Sequence, residues 1–172
     1  HMPSWQLISI YESLMEMGEE FGLKDFGGQA FNSMRLEKMY RAYGAEFTEE
    51  ISALEAGMER FLDLNRDFIG ADNIRERMSS GIKTKLAYLI FDDQVPAECF
   101  GNEAVFSDGE LTGIITSGAY GYRVGHSIAF AYLKTEHCND GANLTVETSL
   151  GSRSCHVSMN ASYDQNNKKL SS

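Results

Sequence analysis

The apolar residues change their period at Ser79-Ser80-Gly81, and that change constrains the fold more than any other feature of the sequence. Before it they recur at helical spacing. After it they gather in short runs rich in Ile, Val, Thr, Phe and Tyr: Lys85 to Phe91, Glu103 to Phe106, Leu111 to Thr116, Ser127 to Leu133, Leu144 to Thr148 and Cys155 to Met159. Turn residues separate the runs at Asp92-Asp93, Ser107-Asp108-Gly109, Asn139-Asp140-Gly141 and Gly151-Ser152. Six short strands with such punctuation predict a small antiparallel barrel or sandwich. Residues 164–172, mostly Gln, Asn, Lys and Ser, read as a loose tail.

The first part of the chain reads as helices. Leu7, Ile10, Tyr11, Leu14 and Phe21 lie at or near helical spacing, with Glu12, Glu16, Glu19 and Glu20 on the other side as a solvated face, and Gly18 to Gly22 ends the segment. A short extended link at Leu23 to Phe26 follows. Between Gly27 and Gly44, Leu36, Met39, Tyr40 and Tyr43 form one stripe, while Arg35, Lys38 and Ala42 turn away from it; this predicts a single helix stopped by Gly44 in the left-handed region. Glu37 stands four residues before Arg41, an ion-pair spacing that contributes ~0.2–0.5 kcal/mol on a helix surface. Ser52 to Gly57 reads as a turn or short helix, and Met58 to Leu64 as a strand or a helical turn. Asp67 to Gly70 is a loop, and a further helix runs from Ala71 to about Met78 with Ile69 placed as a hydrophobic staple.

Composition narrows the partners. With 15 basic and 25 acidic residues the net charge is −10, which repels phosphate backbones and anionic lipid surfaces, so neither nucleic acid nor membrane is an expected partner. No stretch is long and apolar enough to cross a bilayer. Cys99, Cys138 and Cys155 are odd in number and lack a C-x-x-C spacing, so a reducing, cytoplasmic setting is expected rather than a disulfide framework. His1-Met2 reads as a scar of tag cleavage, and the chain as an excised piece of a longer protein.

Several short signals invite chemistry. Ser117-Gly118-Ala119-Tyr120-Gly121-Tyr122-Arg123-Val124-Gly125 is glycine-rich, but no Lys-Ser/Thr pair and helix follow it, so it reads as a structural crossing loop rather than a phosphate cradle. His137-Cys138 and Cys155-His156 contain zinc-ligand types, yet adjacent strand residues point to opposite faces, so no metal site is expected. A G-x-S-x-G nucleophile elbow is absent from the sequence. Glu37 and Glu55 sit in mostly apolar surroundings and read as buried ion-pair partners that lock segments together, with ligand binding as the other use.

Three segments, in order, carry a family resemblance. The run Ala30-Phe31-Asn32-Ser33-Met34-Arg35-Leu36-Glu37-Lys38, with Tyr40-Arg41 and Tyr43-Gly44, resembles the A-R-D-S-L-R-L-E motif of the glycine-cleavage T-protein (aminomethyltransferase) family. It is closer to the form A-x-N-S-L-R-x-E-K-x-Y-R-x-W-G of the branch fused to sarcosine and dimethylglycine dehydrogenases. Leu54-Glu55-Ala56-Gly57 with Asp67-Phe68-Ile69-Gly70 is similar to that family's L-E-A-G-L and D-F-I-G. Thr116-Ser117-Gly118, Gly125 and Ile128-Ala129-Phe130-Ala131-Tyr132 are similar to T-S-G…G-K-x-I-A-L-A-Y.

The resemblance implies an α+β chain. Residues 3–80 would be the C-terminal part of a folate-binding aminomethyltransferase-like domain, and residues 81–163 a six-stranded antiparallel β-barrel packed on it. It implies tetrahydrofolate as cofactor and one-carbon transfer from an aminomethyl or methylamine donor, with a flavin dehydrogenase domain as a candidate neighbour in the same gene product. The family's catalytic aspartate and pterin-reading glutamate match no stretch here, so no catalytic residue is assigned and the chain alone is expected to be inactive. Phe31 stands where the T-protein has an arginine that contacts the folate glutamyl tail; it cannot make that contact, and would instead stack on the aminobenzoyl ring. Phe31, Arg35, Tyr120, Tyr122 and Arg123 are the expected cofactor contacts. The other readings are a non-catalytic packing or interaction module with a decayed folate site, and a demethylase of sulfonium compounds.

Overall fold

Strands β1 (Thr84–Phe91), β2 (Ala104–Ser107), β3 (Glu110–Gly121), β4 (His126–Lys134), β5 (Asn143–Thr148) and β6 (Gly151–Ser158) close into a six-stranded barrel in the order β1-β4-β3-β2-β5-β6. Every pairing is antiparallel, and β1 closes on β6 from Tyr88↔Ser158 to Phe91↔Cys155. This computed structural model describes residues 1–97, 99–169 and 171; Leu170 and Ser172 of the expected tail lie outside the described residues.

Three helices precede the barrel: α1 (Leu7–Gly18), α2 (Gly28–Glu37) and α3 (Ala71–Ser80). The chain forms two compact units, residues 1–31 and 32–172, and α2 runs across the boundary.

Strands β1 and β4 are buried on both faces, which is why they read as unbroken apolar runs. Ala87, Leu89 and Phe91 of β1 and Ala129, Ala131 and Leu133 of β4 fill the barrel with Val105, Ile115, Val146 and Val157. Their alternate residues, Leu86, Tyr88, Ile128 and Phe130, form a second cluster outside the barrel with Leu36 of α2. The rings of Tyr88 and Phe130 meet there at 5.5 Å and 59°, a tilted contact that adds ~0.5–1.5 kcal/mol to the burial of area.

The structure departs from the sequence reading at five places. The helix predicted to reach Gly44 stops at Glu37. Met39 takes the left-handed region (φ 59°), Met39 N–H donates to Leu36 O and Tyr40 N–H to Arg35 O, both at 2.8 Å. These are the two bonds of a Schellman stop, formed without glycine. Second, Arg35 is buried rather than turned to solvent, whereas Tyr40 and Tyr43 of the predicted stripe are exposed. Third, Glu37 does not pair with Arg41; its Oε1 accepts from Arg123 N–H at 2.6 Å. Fourth, the stretch read as a crossing loop from Ser117 is strand as far as Gly121, leaving only a tight hairpin at 122–125. Fifth, Ile69 is fully exposed and staples nothing.

Candidate functional site

Glu46, which no sequence pattern singled out, is the centre of the second unit. Its side chain is inaccessible to solvent, and a buried carboxylate must be saturated with donors or it disfavours the fold. Oε2 accepts from Arg35 Nη1 and from Ala42 N–H, each at 2.8 Å. Oε1 accepts from Thr116 Oγ1 at 2.9 Å and from Ser117 Oγ. The peptide oxygen of Glu46 accepts from the Tyr132 hydroxyl at 2.8 Å. Burial, and then the negative charges of Glu46 and Glu55, raise the Tyr132 pKa and keep that hydroxyl a donor.

Two hydroxyls from adjacent residues reach one carboxylate because β3 is irregular there. In a regular strand Thr116 and Ser117 would point to opposite faces. The β3–β4 register shifts between Ile115 and Ser117, and such a bulge re-aims side chains. Gly118 follows, where the Cys99 peptide oxygen approaches so closely that a Cβ would collide with it. The T-S-G sequence is thus two donors for Glu46 and one close backbone approach.

The α2 motif supplies the other half. Asn32 Nδ2 donates to Gly118 O at 3.1 Å and Ser33 Oγ to Tyr120 O at 2.7 Å, fixing the helix along β3. Arg35 donates through Nε to Asn32 Oδ1 and through Nη1 to Tyr40 O as well as to Glu46. Beyond the helix, Arg41 Nε donates to Ala56 O at 2.7 Å and Leu86 N–H to Glu55 O at 2.7 Å, tying the Leu54-Glu55-Ala56-Gly57 turn to β1. Glu55 itself accepts from Ser52 and from Arg77. The first and third quoted motifs therefore meet around one buried ion pair, while the Leu54-Glu55-Ala56-Gly57 turn of the second is tied to Arg41 and β1.

Among the sequence-predicted contacts, Arg35 has its guanidinium committed to Glu46. Tyr120, Tyr122 and Arg123 share the β3–β4 hairpin: the two tyrosine rings meet edge to face at 5.2 Å, and Tyr120 OH donates to Gly125 O at 3.1 Å. Tyr122 presents 82% of its surface, and Arg123 is exposed, with its peptide N–H held by Glu37. Phe31, in the first unit, is 56% exposed. Among the described residues, no group of His, Cys, Asp and Glu has the arrangement to hold a metal ion. No helix among them is long and apolar enough to cross a membrane.

The fold and site define a class: a closed antiparallel barrel clamped to a motif-bearing helix through a buried arginine–glutamate pair. Residues 1–66 match the family described as GCVT N-terminal domain, and residues 85–164 match the Glycine cleavage T-protein C-terminal barrel domain. The chain belongs to the glycine cleavage T-protein family. It is 39% identical over 142 residues to the mouse protein named dimethylglycine dehydrogenase, mitochondrial, covering 81% of this chain and 16% of that protein. It is 35% identical over 127 residues to an aminomethyltransferase of Corynebacterium aurimucosum, covering 73% of this chain and 34% of that one. The crystal structure of the glycine cleavage system aminomethyltransferase T from Bartonella henselae shares the fold, with a TM-score of 0.71 at 20% identity over 79% of this chain and 38% of that one. The chain thus spans only a part of the length of the relatives it matches.

Proposed function

We propose that this chain contributes the barrel side of a tetrahydrofolate-dependent aminomethyltransferase-like protein, which moves a one-carbon unit from an aminomethyl or methylamine donor to tetrahydrofolate. The observation that carries this reading is the convergence of two family motifs, that of α2 and Thr116-Ser117-Gly118, on the Arg35–Glu46 pair. Asn32 and Ser33 of α2 bond to β3 beside that pair, and Glu37 holds the β3–β4 hairpin at Arg123 N–H. Tyr122 and Arg123 are the groups on that hairpin suited to a folate, an exposed ring for stacking and a guanidinium for a carboxylate. Tyr120 orients the Tyr122 ring, and Arg35 acts as a positioning residue because its donors are already committed. Phe31 offers an exposed aromatic face in its own unit.

The buried Glu46 carboxylate is filled with structural donors and Glu37 Oε1 is held by Arg123 N–H, which supports a scaffold role for this chain and chemistry carried by groups outside it. A flavin dehydrogenase domain in the same gene product belongs to this reading, because relatives of this chain are dehydrogenases by name. Three unpaired cysteines support a reducing, cytoplasmic setting.

Calorimetric titration of tetrahydrofolate into this chain and into the full-length product of its gene tests the reading. Binding to the full-length protein alone, weakened by Tyr122→Ala, is the expected result. No binding to either shifts the reading to a non-catalytic packing module, which the structural commitment of Arg35 and the loss of an arginine at Phe31 favour.

A further inference from the structure

The second unit carries a groove lined by cations that do not bond to Glu46. The groove, of about 630 Å³, is lined by Lys38, Arg41, Phe47, Met58, Arg60 and Phe61, among others, a size ordinary for small-molecule sites. In a chain of net charge −10, three cations on one groove are out of keeping with the rest of the molecule. The nearby carboxylates do not neutralise them all. Asp164 is held by Lys38 Nζ at 3.1 Å, and Glu59 by Lys85 Nζ at 3.1 Å. Neither Arg41 nor Arg60 forms an ion pair among the described residues, although the charges of Glu46 and Glu59 reach Arg41.

Arg41 donates through Nε and Nη2 to the peptide oxygens of Ala56 and Gly57, which holds its guanidinium in place, and no partner among the described residues takes Nη1. Arg60 stacks on Phe61, 4.6 Å from the ring centroid, and its N–H groups make no hydrogen bond among the described residues. The Arg41 pKa is held down first by burial and then by the positive charge of Arg60, with Tyr132, Glu46 and Glu59 offsetting part of the fall. Two guanidiniums thus repel each other beside an apolar wall, an arrangement that an oxyanion between them relieves.

We propose that this groove binds a small carboxylate with an aromatic or apolar body, the carboxylate bridging Arg41 and Arg60 and the body resting on Phe47, Met58 and Phe61. Neither guanidinium hydrogen-bonds to Arg35 or Glu46 among the described residues, and the proposal does not rest on the folate reading.

The test is calorimetric titration of 2-naphthoate into the 172-residue chain, beside 2-naphthylmethanol, which has the same body without the charge. Naphthoate is expected to bind and the alcohol to bind at least about tenfold more weakly, the loss of one charge-assisted contact. Arg60→Gln is expected to leave the fold intact because Arg60 is exposed and makes no hydrogen bond among the described residues; it is expected to weaken naphthoate by a similar factor with unchanged thermal unfolding. Equal affinity for the acid and the alcohol, equal affinity in Arg60→Gln, or no heat of binding at millimolar naphthoate overturns the proposal.

Discussion

Helices α1 and α2 invert the usual relation between apolar character and burial. Helix α1 carries the stronger apolar stripe, yet none of its residues is buried, and Leu7, Ile8, Leu14 and Met17 are all more than half exposed. Helix α2 is polar on average, yet Ser33, Arg35, Leu36 and Glu37 are buried. The difference lies in what each residue finds to bond. An apolar stripe gains only from area removed from water, and in α1 that area is still exposed. The polar residues of α2 meet fixed partners on β3 and at Glu46, so their desolvation is offset by charge-assisted and backbone hydrogen bonds. Amphipathicity reports that a face is suited to burial; complementary donors and acceptors specify against what.

The largest test of this contrast is Arg35→Ala. It leaves Glu46 buried without its cation, and a loss of about 3–5 kcal/mol in urea unfolding is expected; a loss below 1 kcal/mol would show that the α2 seam is held by its apolar contacts alone. Next comes alkaline pH. Burial pushes the Tyr88 pKa up from 10.0 to about 12 at the seam that includes Leu36. A raised folded-state pKa means that the protonated phenol stabilises the fold fully below pH 10, and that this stability is lost as pH rises from about 10 through about 12. The Tyr88 share of the loss in unfolding free energy between pH 9 and pH 12 is expected to be about 2–3 kcal/mol, read as the difference between the parent chain and Tyr88→Phe, because burial also raises Tyr132, Cys99 and Cys155.

Gly118→Ala probes the seam from the strand side. The new methyl meets the Cys99 peptide oxygen, backbone that yields only by shifting, so a loss of about 1–3 kcal/mol is expected in thermal unfolding. The smallest effect belongs to α1. Leu14→Gln should change the stability of this chain by less than about 0.5 kcal/mol, because the side chain is 56% exposed; a loss above 1 kcal/mol would mean that the α1 stripe is covered after all.

The sequence was most legible where both faces of an element obeyed one rule. The change of period at Ser79-Ser80-Gly81 and the six β-rich runs gave all six strands, with ends that differ most at β3 and at β6, where Gly151-Ser152, read as a turn, begin the strand and the turn lies at 149–150. That strand runs on because Gly118, Ala119 and Gly121, which look like loop residues, are small where the backbone of Cys99 and the side chain of Val124 crowd the strand. Helix α2 was placed at its start and misjudged at its end, since the Schellman stop at Met39 depends on bonds back to Leu36 and Arg35 rather than on a glycine.

By itself the sequence determined the strand count, the helical first half, and the family, because periodicity, turn chemistry and ordered motifs are local and survive without coordinates. Only the tertiary structure decided what those motifs do. Glu46 is one glutamate in a polar stretch until the chain folds. Then Arg35, Ala42, Thr116 and Ser117 converge on it from up to 71 residues away, and a buried charge has no other way to be satisfied.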